Sequence, residues 1–130
     1  MPAQVLIVDD DQAIRETVRF VLEDVGHSVL EASDGEAALE ILRQSAGGMV
    51  VLLDLIMPGM NGEAMLSIVA NDAALTERHT YIVMTAAQRQ LTPTIKEVIK
   101  RISAPILQKP FDIDQLIAQV HDAAQRFADA

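Results

Sequence analysis

The feature that most constrains the fold of this chain is a regular alternation of two kinds of apolar segment. Short runs that are apolar at nearly every position alternate with longer stretches in which apolar residues recur every three or four positions. The first pattern is typical of strands buried on both faces, and the second is typical of helices that pack one side against a core. Strands alternating with helices favour an α/β protein built on a parallel sheet.

Five segments fit the strand pattern, and each is followed by a segment that fits the helical one. The predicted strands are residues 4–9, 27–32, 49–54, 81–85 and 105–108. The third is the most hydrophobic and is expected at the centre of the sheet. Right-handed crossovers would place helices on both faces. We therefore expect a single domain over residues 1–130.

Polar residues predict where several helices begin. Asp10 or Asp11 can cap the first helix. Ser33, with Glu36 three residues later, resembles a capping box for the second. Thr92 precedes a proline and resembles the cap of the fourth.

Composition excludes several classes of protein. There is no cysteine, so disulfides and thiolate metal sites are absent. The formal net charge of -9 argues against direct nucleic-acid binding by this domain. No apolar run approaches the roughly 20 residues of a membrane span, and the N-terminus lacks the features of a secretory signal. We expect a soluble cytoplasmic protein that does not bind membranes.

Polar side chains stand at the carboxyl ends of the predicted strands, where ligands of such sheets gather. They are Asp9, Asp10, Asp54, Thr85 and Lys109. Three carboxylates at one edge would repel one another unless a cation joined them. Mg²⁺ suits such a site because it takes oxygen ligands and keeps several waters.

The same residue types are suited to phosphoryl transfer. A carboxylate can attack phosphorus and become an acyl phosphate. A lysine and a hydroxyl can then neutralise or hydrogen-bond the phosphoryl oxygens, since this reaction needs little beyond positioning and charge neutralisation.

Four motifs carry a resemblance to a known family. In chain order they are VLIVDDD at residues 5–11, LLDLIMPGMNG at 52–62, VMTA at 83–86 and QKPF at 108–111. Together they resemble the receiver domain of two-component response regulators along nearly the whole chain. This resemblance implies the CheY-like, flavodoxin-like fold: a five-stranded parallel sheet in the order 2-1-3-4-5, doubly wound with five helices.

The resemblance also implies a role for individual residues. Asp54 would be the phosphoacceptor, and Thr85 and Lys109 would contact the phosphoryl group. The bond between Lys109 and Pro110 would be cis. Such a domain is mainly a signalling switch, although it catalyses its own phosphorylation and dephosphorylation.

A metal site is part of the same resemblance. Asp10 and Asp54 would bind Mg²⁺ directly, and Asp9 would act largely through water. The backbone carbonyl of Ile56 would complete the protein ligands.

The implied partners are proteins. The phosphoryl group would come from a histidine kinase or a histidine phosphotransferase. Phosphorylation would switch the face formed by the fourth helix, fifth strand and fifth helix for binding. The output would be a downstream target protein or an effector domain absent from this chain, with a homodimer through that face as a further option.

Three positions depart from the usual family pattern. Ile106 stands where many receivers have Tyr or Phe, so the coupling of Thr85 to an aromatic switch cannot operate in its usual form. Ile56 and Ala87 are apolar at positions that tune attack by water on the acyl phosphate. We hypothesise slow or moderate self-dephosphorylation.

Three rival functions are weaker. A Mg²⁺-dependent phosphatase with an aspartyl nucleophile, as in the haloacid dehalogenase family, requires an acid at position 56, where this chain has Ile56. A flavodoxin-like FMN binder would not explain the acid pair. A degenerate receiver that acts without phosphate would not retain all five site residues. Histidines 27, 79 and 121 are assigned surface or structural roles.

Overall fold

The computed structural model describes residues 3–55, 62–86 and 91–128. Within these ranges the five strands are β1 Gln4–Val8, β2 Ser28–Ala32, β3 Val50–Asp54, β4 Thr80–Thr85 and β5 Ile106–Gln108. The helices are α1 Gln12–Asp24, α2 Gly35–Gln44, α3 Gly62–Ala70, α4 Ala73–Arg78, α5 Pro93–Arg101 and α6 Ile113–Ala128. Every predicted strand is present, with each end within one residue of its predicted position.

The strands form one sheet in the order β2-β1-β3-β4-β5. All four neighbouring pairs are parallel, which confirms the topology that the resemblance implied. The register pairs Asp54 with Met84 and Thr85 with Gln108. The carboxyl ends of these strands therefore meet at one edge of the sheet.

Helices cover both faces of the sheet and bury two apolar clusters. On one face, α1 and α6 contribute Val18, Leu22, Leu116, Val120 and Ala124. On the other face, α2, α3, α4 and α5 contribute Ala38, Leu39, Leu42, Met65, Leu66, Val69, Leu75, Ile95, Val98 and Ile99. The central strand β3 is buried at every position, as its uninterrupted apolar run predicted.

The connection between β3 and β4 differs from the prediction of one helix. It contains two, because α3 ends at Ala70 and α4 begins at Ala73. The Asp72 side chain accepts hydrogen bonds from the backbone N–H groups of Ala74 and Leu75. An N-cap of this kind starts a new helix, so the described part of the chain holds six helices rather than five.

One predicted helix cap is wrong and two are confirmed. The α2 cap is Asp34 rather than Ser33, because the helix begins at Gly35 and the Asp34 carboxylate accepts from the N–H of Ala37. Asp11 caps α1, and the hydroxyl of Thr92 caps α5. Among the residues described, no helix combines the length and the apolar character needed to cross a membrane.

Candidate phosphoryl-transfer site

Four strands deliver polar groups to the carboxyl edge of the sheet. Asp9 follows β1, Asp54 closes β3, Thr85 closes β4 and Lys109 follows β5. Asp9, Asp54 and Thr85 are all buried, at 0%, 7% and 1% exposure. Burial of two carboxylates and a hydroxyl at one edge is costly unless each has partners.

Three of the carboxylates converge. Asp9, Asp10 and Asp54 each offer an oxygen, and these oxygens lie within 4.8 Å of one another. Asp10 is exposed while the other two are buried. The donors are all carboxylate oxygens, which are the ligands that a hard divalent cation such as Mg²⁺ prefers, so the residues present fit that ion.

Lys109 joins two of the acids. Its Nζ lies 2.7 Å from Asp9 Oδ2 and 3.2 Å from Asp54 Oδ2. Burial acts to lower the pKa of Lys109, but the hydrogen bond to Asp9 and the charges of Asp54 and Asp9 outweigh it, and the pKa lies above its ordinary value. The ammonium is therefore a fixed positive charge beside the nucleophile candidate.

The backbone around Lys109 is held by the sheet. Its N–H donates to the Thr85 carbonyl at 2.9 Å, which continues the β4–β5 ladder one step beyond the strand. The Lys109–Pro110 peptide is cis, as the resemblance implied. Thr85 and Lys109 are thus linked through the backbone.

The carboxylate, the N–H and the carbonyl of the buried Asp9 are all hydrogen-bonded. Its Oδ1 accepts from the Asp11 N–H at 2.9 Å and its own N–H donates to the Ala32 carbonyl at 3.1 Å. Its carbonyl accepts from Arg15 Nη1 at 2.7 Å. With both carboxylate oxygens already in hydrogen bonds, Asp9 is better placed to contact a metal through water than directly.

Sequence reasoning missed Arg15 and the reason for Gly62. An ideal Cβ on Gly62 would collide with the Asp54 carbonyl and with Leu55 Cα, so only glycine lets α3 start against the end of β3. In the sequence, Gly62 stood out only as the last residue of the motif at 52–62. In the sequence Arg15 resembles the other polar residues of α1, and only the structure shows its hydrogen bond to the Asp9 carbonyl.

Thr85 and Ile106 lie on the same face of the sheet. Residues of β4 alternate between the two apolar clusters, and Tyr81 and Val83 belong to the cluster beneath α5. Thr85 shares their parity. Ile106 pairs with Val83 and packs against that cluster while staying partly exposed. Ile56 and Ala87 lie outside the described residues.

An apolar cleft of about 500 Å³ opens beside the charged site. It lies between α1 and the segment after β5, and one of its walls is Lys109. The lining residues are Ala13, Ile14, Thr17, Val18, Ala86, Lys109, Pro110 and Phe111.

Comparison with known proteins gives one consistent result. Residues 5–121 match the family model described as the response regulator receiver domain. Response regulator MprA of Mycolicibacterium vanbaalenii is 31% identical over 129 residues, covering 97% of this chain and 52% of that protein. DNA-binding response regulator MtrA of Mycolicibacterium smegmatis is 32% identical over 131 residues, covering 99% of this chain and 54% of that protein. The chain spans about half the length of these relatives.

Solved structures of isolated receiver domains align over nearly their full length. A CheY-like receiver domain protein from Methanospirillum hungatei has a TM-score of 0.78 at 29% identity, covering 90% of both chains. The Francisella response regulator 1452 receiver domain has a TM-score of 0.80 at 29% identity, covering 96% of this chain and 98% of that one. The chain therefore belongs to the response regulator receiver domain family of two-component signalling.

Proposed function

We propose that this receiver domain accepts a phosphoryl group on Asp54. The observation that carries the proposal is the bridge of Lys109 between Asp9 and Asp54, at an edge where three aspartates converge. Asp54 is the buried carboxylate at the end of the central strand, and it has a cation 3.2 Å away.

The chemistry follows from these groups. An Asp54 carboxylate oxygen forms a bond to phosphorus while the bond from phosphorus to a donor histidine nitrogen breaks, and the imidazole leaves with that electron pair. Lys109 offers its ammonium to a phosphoryl oxygen, and the Thr85 hydroxyl donates to another. Positioning and charge neutralisation supply most of the rate in such a transfer.

Mg²⁺ is the proposed cofactor. Asp10 and Asp54 would hold it directly and Asp9 through water, with the backbone carbonyl of Ile56 as a further ligand. Bound there, Mg²⁺ would neutralise charge shared between the carboxylate and the phosphoryl oxygens. The support is the all-oxygen donor set.

The test of this function is labelling by acetyl phosphate with Mg²⁺, read by intact-mass spectrometry. We expect Asp54→Asn to abolish the gain of one phosphoryl group, because an amide cannot form the acyl phosphate. Asp122→Asn, an exposed acid on α6, is the matched control and should label normally. Labelling of the Asp54→Asn variant at the full rate would mean that the nucleophile is misassigned.

The proposed phosphodonor is a histidine kinase or a histidine phosphotransferase in the cytoplasm. The cleft between α1 and Pro110-Phe111 supports this, since it offers an apolar seat for a donor protein directly beside Lys109. Direct nucleic-acid binding by this domain is not proposed, because its net charge is -9.

The proposed output face is formed by α5, β5 and α6. These two helices are the fourth and fifth of the sequence prediction, which did not include the short α4. The face would bind a target protein, an attached effector domain or a second copy of the chain. Its support is that Thr85 and Ile106 lie on the α5 side of the sheet. Phosphorylation would shift a two-state equilibrium of this face. Amide NMR shifts around Thr85 and Ile106 that stay unchanged with beryllofluoride and Mg²⁺ would contradict the switch.

Self-dephosphorylation is proposed to be slow or moderate, because Ile56 and Ala87 offer no group to orient water. A phosphoryl lifetime of only seconds in the purified protein would contradict this. The phosphatase alternative is not favoured by the family assignment, and Ile56 cannot serve as its acid.

A further inference from the structure

Arg15 makes a contact that the proposed site residues do not explain. Its Nη1 donates to the backbone carbonyl of Asp9 at 2.7 Å, and its Nε donates to Glu31 Oε1 at 3.1 Å. The Arg15 side chain is only 15% exposed. Because its planar guanidinium donates to two separate acceptors, both the position and the orientation of the Arg15 side chain are fixed.

The carbonyl that Arg15 binds belongs to the peptide unit joining Asp9 to Asp10. A peptide unit is planar, so a hydrogen bond to its oxygen also sets the direction in which the next residue leaves. The next residue is Asp10, the exposed member of the acid cluster. The other contacts of Asp9 fix its carboxylate and its N–H, while Arg15 fixes this carbonyl.

We propose that Arg15 is a positioning residue for the metal site, acting through the Asp9–Asp10 peptide to aim the Asp10 carboxylate. This inference rests on the proposed function of the site. Glu31 on β2 anchors Arg15, so the edge strand contributes to the site without touching it. Groups that orient metal ligands in this way commonly change affinity by about 10- to 100-fold when removed.

Arg19 provides a matched control one helical turn further along α1. It also pairs with Glu31, so it makes the same link between α1 and β2. Its other contacts are the Val29 carbonyl at 2.8 Å and Glu23 at 3.5 Å, and it does not bond to the Asp9 carbonyl. Loss of Arg19 therefore weakens the same packing and leaves the Asp9–Asp10 peptide alone.

The experiment measures Mg²⁺ affinity of the 130-residue chain by calorimetry, with no phosphodonor present. We expect R15M to weaken binding about tenfold and R19M to weaken it less than about twofold. R15K keeps the charge but cannot serve both acceptors with a rigid fork, and should fall between them. If R15M does not fold, the Mg²⁺ affinities of R15K and R19M are compared instead.

A double variant separates aiming from general stability. If Arg15 acts through Asp10, adding R15M to D10N should weaken Mg²⁺ binding no further than D10N alone. Equal losses for R15M and R19M, or an unchanged affinity in R15M, would overturn the inference while leaving D10N defective. If the unmodified chain bound no Mg²⁺ at all, the proposed site and this inference would fail together.

Discussion

The two ends of the strands bury polar groups in opposite ways. We call the end where the parallel strands begin the amino edge, and the end where they finish the carboxyl edge. Among the described residues, the buried polar side chains are Asp9, Asp54 and Thr85 at the carboxyl edge and His27 and His79 at the amino edge. The acids face one another and share a single lysine. Each histidine instead hydrogen-bonds backbone groups: His27 Nδ1 accepts from the Ala3 N–H, and His79 Nδ1 accepts from the Met49 N–H, both at 3.0 Å.

The difference gives one end of the sheet a role in stability and leaves the other end for the proposed chemistry. His79 also places Nε2 3.2 Å from the Leu42 carbonyl, so this neutral ring, directly before β4, links α2 to the residue before β3 with both nitrogens in use. The hydrogen-bonding groups at the amino edge are satisfied within the protein, whereas the converging carboxylates at the carboxyl edge repel one another unless a cation is bound. Substitutions at the two edges should therefore have opposite effects on stability.

The largest effect should come from the amino edge. We expect His79→Ala to lower the free energy of unfolding by about 3 kcal/mol, because it leaves a cavity and removes both hydrogen bonds of a buried ring. Chemical denaturation measures this loss. The exposed His121→Ala is the control and should change stability by less than about 0.5 kcal/mol. Folded His79→Ala protein should still label with acetyl phosphate, and loss of labelling would mean that the two edges are not independent.

A smaller effect of opposite sign is expected at the carboxyl edge. Without metal, Asp10→Asn should raise stability by about 1 kcal/mol, because it removes one of three converging charges. Saturating Mg²⁺ should reverse the order, since the unmodified protein gains more binding energy than the variant. Thermal melts with EDTA and with Mg²⁺ test this reversal. A metal-free Asp10→Asn protein that is less stable than its parent would remove the evidence for stored repulsion.

The smallest effect is a pH dependence of the amino edge. Burial lowers the pKa of His79 below its ordinary 6.5; the hydrogen bond to the Leu42 carbonyl opposes this in part, while Arg78 and Arg126 add to it. The unfolded chain then binds more protons than the native one, so stability should fall as pH drops below about 6.5. The slope cannot exceed about 1.4 kcal/mol per pH unit for one proton.

Melting temperatures between pH 7 and pH 5.5 would measure this dependence. His79→Gln keeps a donor and an acceptor but cannot titrate, so its slope should be shallower. His27 contributes in the same direction, because burial also lowers its pKa, followed by the charges of the N-terminus and His121. Equal slopes in the parent and His79→Gln would place the titration elsewhere.

Sequence patterns predicted the strands more completely than they predicted the site. Apolar runs located the inner strands β1, β3 and β4 within one residue, because burial on both faces leaves little freedom of composition. The outer strands β2 and β5 are partly exposed, yet their shorter apolar runs located them equally well. The polar site residues were recognised because they stand directly at the ends of those apolar runs. Arg15 and the second helix of the β3–β4 connection were missed, since an arginine on a helix or an aspartate in a polar segment acquires its role only from what the fold places beside it.

The Lys109–Asp9 ion pair joins residues 100 positions apart in the chain. The proposed acceptor site is therefore complete only after β5 has docked beside β4 and brought Lys109 to the two acids. A nascent or partly unfolded chain would present Asp54 without Lys109 beside it and, under the proposed function, would be a poor phosphoacceptor. If the proposed function holds, phosphoryl transfer to Asp54 therefore requires a completely folded domain.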